Sequence, residues 1–215
     1  MIALALVLVT APSANAQIRR RAPVVTEPSS WVSLGIGLYG ANEVSDGATS
    51  STWDFGEGTS WQYRASFEKV VQNTFSLGGV LTYVDLPFVY TGPSCGSCDA
   101  HLDLTTLGAS FHAGGGQGLH QVLEVSAGAA FYRNLRRDSD NKPLDPVGGN
   151  TDPFFTFGYG FGYTFNPTMQ ISLVQDYGLV LHERTGIANN QSNTLTQRST
   201  RLNFRMGLGT RRGPR

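Results

Sequence analysis

The feature that most constrains the fold of this 215-residue chain is a strict two-residue alternation of side-chain character. Between Phe155 and Phe165 every second residue is Phe or Tyr, and the residues in between are Gly or Thr. Successive side chains of a β-strand point to opposite faces, whereas a helix places every third or fourth residue on one face. The segment therefore predicts a β-strand with one aromatic face and one small, polar face.

Similar segments recur along the chain. We place strands at 30–41, 59–70, 74–86, 100–113, 120–133, 152–165, 168–182 and 198–210. The fourth of these changes parity, because Leu102 and Leu104 fall on one face while Leu107 and Phe111 fall on the other. A β-bulge near Thr105–Thr106, which inserts one extra residue, would reconcile the two halves.

The connections between these segments alternate in length. Short ones lie near 71–74, 113–119 and 166–168, and long polar ones lie at 42–58, 87–99, 134–151 and 183–197. An even number of strands, with short turns on one rim and long loops on the other, is typical of bacterial transmembrane β-barrels. In that arrangement the long loops are extracellular and both termini are periplasmic.

The composition is compatible with this interpretation. Charged residues make up 15% of the chain and the formal net charge is +0, whereas soluble domains carry about 25% charged residues. A neutral chain also lacks the basic surface that nucleic acid requires, so we expect no nucleic-acid partner. A secreted, soluble lipocalin-like barrel is an alternative, and it would need a charged exterior.

The width of an eight-stranded barrel decides which face meets lipid. Its interior is just wide enough for side chains to fill, so the bulky face points outward and the small, polar face inward. The predicted lipid-facing aromatics are Trp61, Tyr63, Phe67, Phe155, Phe157, Tyr159, Phe161, Tyr163, Phe165 and Phe204. Aromatic girdles are expected at the strand ends, from Trp31, Tyr39, Trp61, Tyr83 and Tyr163.

The ends of the chain are predicted to lie outside the barrel. An apolar run, followed by Ala14 and Ala16 flanking Asn15, indicates a cleavable signal peptide at 1–16. Residues 17–29 then form a periplasmic extension, 30–211 the barrel and 212–215 a short tail.

The segment count, the loop asymmetry and faces such as Phe155–Phe165 resemble the small eight-stranded outer-membrane β-barrels, the family of the OmpA transmembrane domain and OmpX-like proteins. The resemblance covers Trp31 to Thr210. It implies an all-β, antiparallel up-and-down transmembrane barrel in the outer membrane of a Gram-negative bacterium, surrounded by lipid and lipopolysaccharide. It also implies a structural or surface-interaction role. Family members commonly end in an aromatic residue, whereas this chain ends in Arg215.

Charged residues on the predicted inner face form the first candidate site. Buried ions must pair or hydrogen-bond, so these residues predict a polar plug that fills the lumen. The alternative is a narrow, low-conductance pore for ions or small solutes, opened by exchange of ion pairs. The predicted lumen ion network comprises Arg64, Glu68, Asp103, Glu124, Asp176, Arg201 and Arg205.

Ser110, His112 and Glu124 form the second candidate site. A hydroxyl, an imidazole and a carboxylate together are the parts of a nucleophilic hydrolase. The set is similar to the catalytic residues of the outer-membrane lipid A deacylases, although there the His precedes the Ser. The pattern favours three lumen groups that satisfy one another, with a lipid-modifying hydrolase as the alternative.

The predicted loops carry the remaining candidates. Cys95 and Cys98 predict a disulfide at a loop tip, because an oxidising compartment favours it; only His101 lies close enough in sequence to assist a metal site, so none is expected. No cofactor motif is present. The basic side chains of Arg133, Arg136 and Arg137 could pair with lipopolysaccharide phosphates, and an extracellular ligand could bind the long loops.

Three further loop features stay open at the level of sequence. The aromatic side chains of Trp53 and Phe55 are either adhesive or packed locally. The run Asp138–Asn141 lacks the Gly and terminal Glu of a calcium loop, so a solvated loop of mixed charge is favoured. His182 and Glu183 form a pair at the rim.

Overall fold

The computed structural model describes residues 26–56, 58–72, 74–147, 149–182 and 193–212. The signal peptide predicted at 1–16 and the Glu183 half of the predicted rim pair lie outside these ranges. All regular structure within them is β: β1 (Thr26–Glu27), β2 (Ser30–Ala41), β3 (Val44–Asp46), β4 (Ser51–Asp54), β5 (Ser60–Gln72), β6 (Phe75–Gly92), β7 (Gly96–Ala113), β8 (Gly118–Arg137), β9 (Asn150–Asn166), β10 (Met169–Leu181), β11 (Thr194–Leu208) and β12 (Arg211–Arg212). No helix in the described part of the chain is long and apolar enough to cross a lipid bilayer.

Eight of these strands close into an antiparallel barrel. β2 and β5 to β11 each pair with the next, and β11 pairs back with β2, where Arg201 lies opposite Gly37. β1 pairs with β12, so the described chain starts and ends at the rim that carries the short turns. We call this rim the turn end and the opposite rim the long-loop end. The predicted eight-stranded, all-β barrel is confirmed.

The prediction of a long loop at 87–99 was wrong. β6 and β7 continue as a hairpin until Gly92 pairs with Gly96, so that residues 93–95 alone make the turn. Two interactions support this extension. β4, within the first loop, pairs with β6, and Phe88 and Tyr90 bury their rings on the inner side.

The bulge expected near Thr105–Thr106 was also wrong. Pairing of β6 with β7 is uninterrupted, and the shift between β7 and β8 lies instead between His101 and Asp103. Leu104 is 1% exposed and points into the lumen, whereas Leu107 is 55% exposed and points outward. The apolar residues change parity because the lumen itself changes from polar to apolar along the barrel axis.

This change of lumen character overturns the placement of Asp103 in the ion network. Asp103 shares the outward parity of Leu107, and its carboxylate accepts a hydrogen bond of 2.7 Å from the Tyr83 hydroxyl. A second bond comes from the Asn134 amide and is short. Asp103 is therefore stabilised by polar partners on the exterior, close to the long-loop end.

The exterior carries an apolar band. All ten predicted lipid-facing aromatics point outward, with exposed fractions between 38% for Phe204 and 59% for Phe165. Soluble monomers rarely expose a contiguous apolar surface of this extent, and a secreted lipocalin-like barrel would need a charged exterior. The band is the surface that a lipid bilayer requires.

Trp31 and Tyr39 do not belong to the girdle, contrary to expectation. They are 7% and 2% exposed, because they share the inward parity of Ser33 and Gly37 on β2. The Tyr39 hydroxyl donates a hydrogen bond of 2.5 Å to Gln197. Trp61, Tyr83 and Tyr163 do point outward.

Candidate functional site

The lumen near the middle of the barrel is organised around Arg201. Its Nε lies 2.5 Å from Asp176 Oδ2, and one of its terminal nitrogens binds Glu124 at short distance. Arg64 adds a second cation to Glu124 at 3.1 Å. Because two cations share two carboxylates here, the buried charges balance, as a low-dielectric interior demands.

Two glycines make room for this cluster, one opposite Arg201 on β2 and one opposite Asp176 on β9. A Cβ at Gly37 would lie 2.6 Å from the Cβ of Arg201, and one at Gly158 would lie 2.2 Å from Asp176 Oδ1. Neither distance leaves space for a methyl group. The small, Gly-rich face seen in the sequence is therefore the face that accommodates the long inward-pointing side chains.

A second ion pair lies closer to the turn end. Arg205 donates to Glu68 Oε2 at 2.5 Å, and the carboxylate also accepts bonds from Ser76 at 2.6 Å and Ser66 at 2.8 Å. The Arg205 guanidinium sits 4.9 Å from the ring centre of Trp31, within cation–π distance. Trp31 thus covers the polar layer on the side of the turn end.

His112 connects the two ion clusters. Arg205 donates to His112 Nε2 at 2.7 Å, so that nitrogen is an acceptor and the ring proton belongs on Nδ1. Nδ1 then donates to Glu124 Oε1 at 3.1 Å. A neutral imidazole bridges the guanidinium of one cluster and the carboxylate of the other.

The geometry of Ser110 bears on the hydrolase alternative. Its hydroxyl is buried and has no hydrogen-bond partner among the described residues. Both nitrogens of His112 are engaged, by Arg205 and by Glu124. A nucleophilic serine needs a base within hydrogen-bond reach, and here His112 pairs with other groups.

The long-loop half of the lumen is apolar, which the sequence did not indicate. The inner face there is a continuous hydrophobic core. One small cavity of about 20 Å³, large enough for a water molecule, lies between this core and the ion cluster, next to Arg64 and Asp176. The core includes Val84, Leu86, Phe88, Leu102, Leu104, Tyr132, Phe154, Val180 and Leu195.

Trp53 covers this apolar half of the lumen at the long-loop end. It lies on β4, which pairs with β3 and β6 to fold the first loop over the barrel mouth. The indole is 1% exposed, and its ring centre lies 4.7 Å from that of His182 and 5.7 Å from that of Tyr132. Trp53 and its neighbour Phe55 are thus packed locally.

His182 is buried, although the sequence predicted it only as part of a pair at the rim. Its Nδ1 binds Asp152 Oδ2 at 2.7 Å, and its Nε2 lies 4.0 Å from Asp46 Oδ2. Asp152 lies on β9, Asp46 on β3, and His182 directly follows β10. The three residues are far apart in the chain, so no local sequence pattern connects them. The imidazole is thus hydrogen-bonded to Asp152 of the barrel wall, and the carboxylate of Asp46 on the first-loop hairpin lies nearby without a hydrogen bond to it.

The remaining loop candidates are placed as follows. The predicted disulfide between Cys95 and Cys98 is present at the turn of the β6–β7 hairpin. Asp138 pairs with His101, and Asp140 pairs with Arg137, so the carboxylates of the calcium-like run already have protein partners. No group of three or more His, Cys, Asp or Glu side chains within the described ranges could hold a metal ion.

Comparisons with known proteins agree with this architecture. No protein-family model matches the chain, and no curated protein matches it in sequence. Among solved structures, it is similar to Neisserial surface protein A, with a TM-score of 0.53 and 12% identity over 84% of this chain and 97% of that one. It is also similar to OprG of Pseudomonas aeruginosa (TM-score 0.46, 11% identity, 86% and 96% coverage) and to Ail of Yersinia pestis (0.41, 10%, 84% and 99%).

The apolar band and the closed sheet, together with the first of these similarities, define the class. The fold is that of the small eight-stranded outer-membrane β-barrels. The resemblance predicted from the strand pattern is confirmed at this level.

Proposed function

We propose that this protein is an integral outer-membrane barrel whose filled lumen allows at most low, intermittent conductance, and that it presents an extracellular long-loop surface in a structural or surface-interaction role. Its termini face the periplasm. The observation that carries the proposal is that two different layers fill the lumen in series. An ion network fills the half nearer the turn end, and a hydrophobic core fills the half nearer the long-loop end. Because the two layers lie in series, either one is sufficient to block passage through the lumen.

The long-loop end supports a binding role because two of its described parts, the β6–β7 hairpin and the loop between β8 and β9, are joined to each other. The backbone N–H of Asp138 donates to the carbonyl of Asp99 at 3.0 Å. The Ser94 hydroxyl donates to Asp145 at 3.1 Å, and His101 pairs with Asp138 at 2.6 Å. A surface held in one conformation loses little entropy when it binds a partner.

Two alternatives are less well supported. A narrow pore would require both lumen layers to rearrange. A lipid-modifying hydrolase would require His112 to release Glu124 or Arg205 and turn to Ser110. Since both nitrogens of His112 are bonded inside the ion network, we favour a non-enzymatic role.

Closure of the lumen predicts the electrical behaviour of the protein. In planar bilayers we expect at most low, intermittent conductance, because eight strands leave little free lumen and side chains occupy it. The measurement is single-channel recording after insertion, with heat-denatured protein as the control. A large, stable open level would contradict the filled lumen and favour the pore.

The orientation can be tested on the native chain, since it contains just two lysines, Lys69 and Lys142. Lys142 lies at the long-loop end and Lys69 near the turn end of β5. A membrane-impermeant amine reagent applied to intact cells should modify Lys142 and spare Lys69. K142R should abolish this labelling and K69R should leave it unchanged; the opposite pattern would mean that the long loops face the periplasm.

A further inference from the structure

We propose that the outer face of β2, β10 and β11 binds the phosphorylated headgroup of a membrane lipid, with Arg198 as the phosphate ligand. The proposal rests on the membrane placement proposed above and adds a specific site to it. The site is a groove of about 390 Å³ on the barrel exterior. Its chemistry, and not its size alone, points to an amphipathic anion.

Arg198 lies in the groove without a counter-ion among the residues that the structure describes. Its cross-strand neighbours are Gly40 on β2 and Tyr177 on β10, neither of which carries a carboxylate. Arg198 is exposed, and its Nε lies beside Gly40, which has no side chain. Within the described part of the chain, no hydrogen bond or ion pair to the Arg198 guanidinium is present.

Arg198 differs from the other arginines of the barrel strands in its surroundings. Arg64, Arg201 and Arg205 are paired inside the lumen. Arg133 is also exposed on the outer face, and it has no ion pair within the described ranges, but a carboxylate, that of Asp103 on β7, lies on the strand position directly across from it. A guanidinium on the outer face at headgroup level is attracted to anionic lipid, and a phosphate matches its planar fork.

The outer face of β10 and β11 changes from apolar to polar as it enters the groove. On the turn-end side of the groove, Leu173 lies opposite Leu202. Going towards the long-loop end, Gln175 then lies opposite Thr200 and Tyr177 opposite Arg198, and the next pair is Leu179 opposite Thr196. Gln175 and Thr200 hydrogen-bond each other and so satisfy their polar groups beside the leucines. Acyl chains would contact the leucines while the phosphate reaches Arg198.

The test is a titration of the full-length mature protein, in detergent micelles, with diphosphoryl lipid A, followed by native mass spectrometry of bound lipid. We expect R198Q to weaken lipid A binding about fivefold, the effect of one cation on an anionic lipid surface. R198K should retain part of the binding, since it keeps the charge but not the fork. K69Q, which removes an exposed cation near the turn end of β5, is the matched control and should bind like the wild type.

Several outcomes would overturn the proposal. One is unchanged lipid A binding by R198Q. Another is displacement of the lipid by millimolar inorganic phosphate, which would identify a site for free anions. A third is a dimer that R198Q dissociates, which would identify a second copy of the chain as the occupant. Insertion into phosphatidylcholine vesicles, followed by heat-modifiable gel migration, tests folding and the membrane placement separately.

Discussion

Replacement of Arg201 by methionine is expected to lower the free energy of unfolding by about 3–5 kcal/mol, the cost of removing one partner from a buried ion pair. The change leaves Glu124 with Arg64 as its remaining strong cation and Asp176 with none among the described ion pairs. A buried carboxylate without a counter-ion must be neutralised or hydrated. The measurement is urea unfolding of the protein in lipid vesicles, followed by heat-modifiable gel migration.

Two variants separate the charge effect from a general loss of packing. R133Q removes an exposed arginine from the outer face and should change the unfolding free energy by less than about 0.5 kcal/mol. The double variant R201M/D176N removes one charge of each sign, leaves Arg64 paired with Glu124 and should recover most of the stability. If R201M and the double variant were equally destabilised, the ion pairs would not be what stabilises this layer.

Replacement of Trp53 by alanine is expected to cost about 3–5 kcal/mol, as for other buried tryptophans. The indole closes the apolar half of the lumen and packs against His182 and Tyr132. Its loss should also release the hairpin formed by β3 and β4, because no other side chain of β4 is buried as a large apolar group. Limited proteolysis should then cleave within 42–59, and the unfolding midpoint should fall.

Trp61 provides a matched control on the opposite surface. It is 58% exposed on the lipid-facing side of β5, so W61A removes the same side chain without opening a cavity. We expect W61A to leave proteolysis of residues 42–59 unchanged. Equal protease sensitivity of the two variants would show that Trp53 does not anchor the first loop.

Most of the barrel could be predicted from the sequence because strand alternation is a local property. Phe155 and Phe157 share a face whatever surrounds them, and the narrow barrel decides that this face is outside. The small residues of the same strand, such as Gly158, then had to line the lumen. The pairing of Arg201 with Asp176 was also accessible, since the two residues lie on neighbouring strands joined by one loop.

Apart from the long loop predicted at 87–99, the errors concern what fills the lumen at each level. Asp103 was assigned to the ion network because charged residues on an inner face were expected throughout. Local alternation cannot tell where a polar interior gives way to an apolar one, so Leu102 and Leu104 were misread as outward and a bulge was invoked. Trp31 and Tyr39 were assigned to the girdle by position along the strand, although their parity already placed them inside.

The alternation of side chains by itself determined the eight strands, the lipid-facing aromatics and the small inner face. The apolar half of the lumen, the insertion of Trp53 and the pairing of His182 with Asp152 were decided by the tertiary structure alone. The physical reason is that alternation is set by each strand's own backbone geometry. Burial of Trp53 and pairing of His182, in contrast, depend on strands and loops that meet only when the barrel closes.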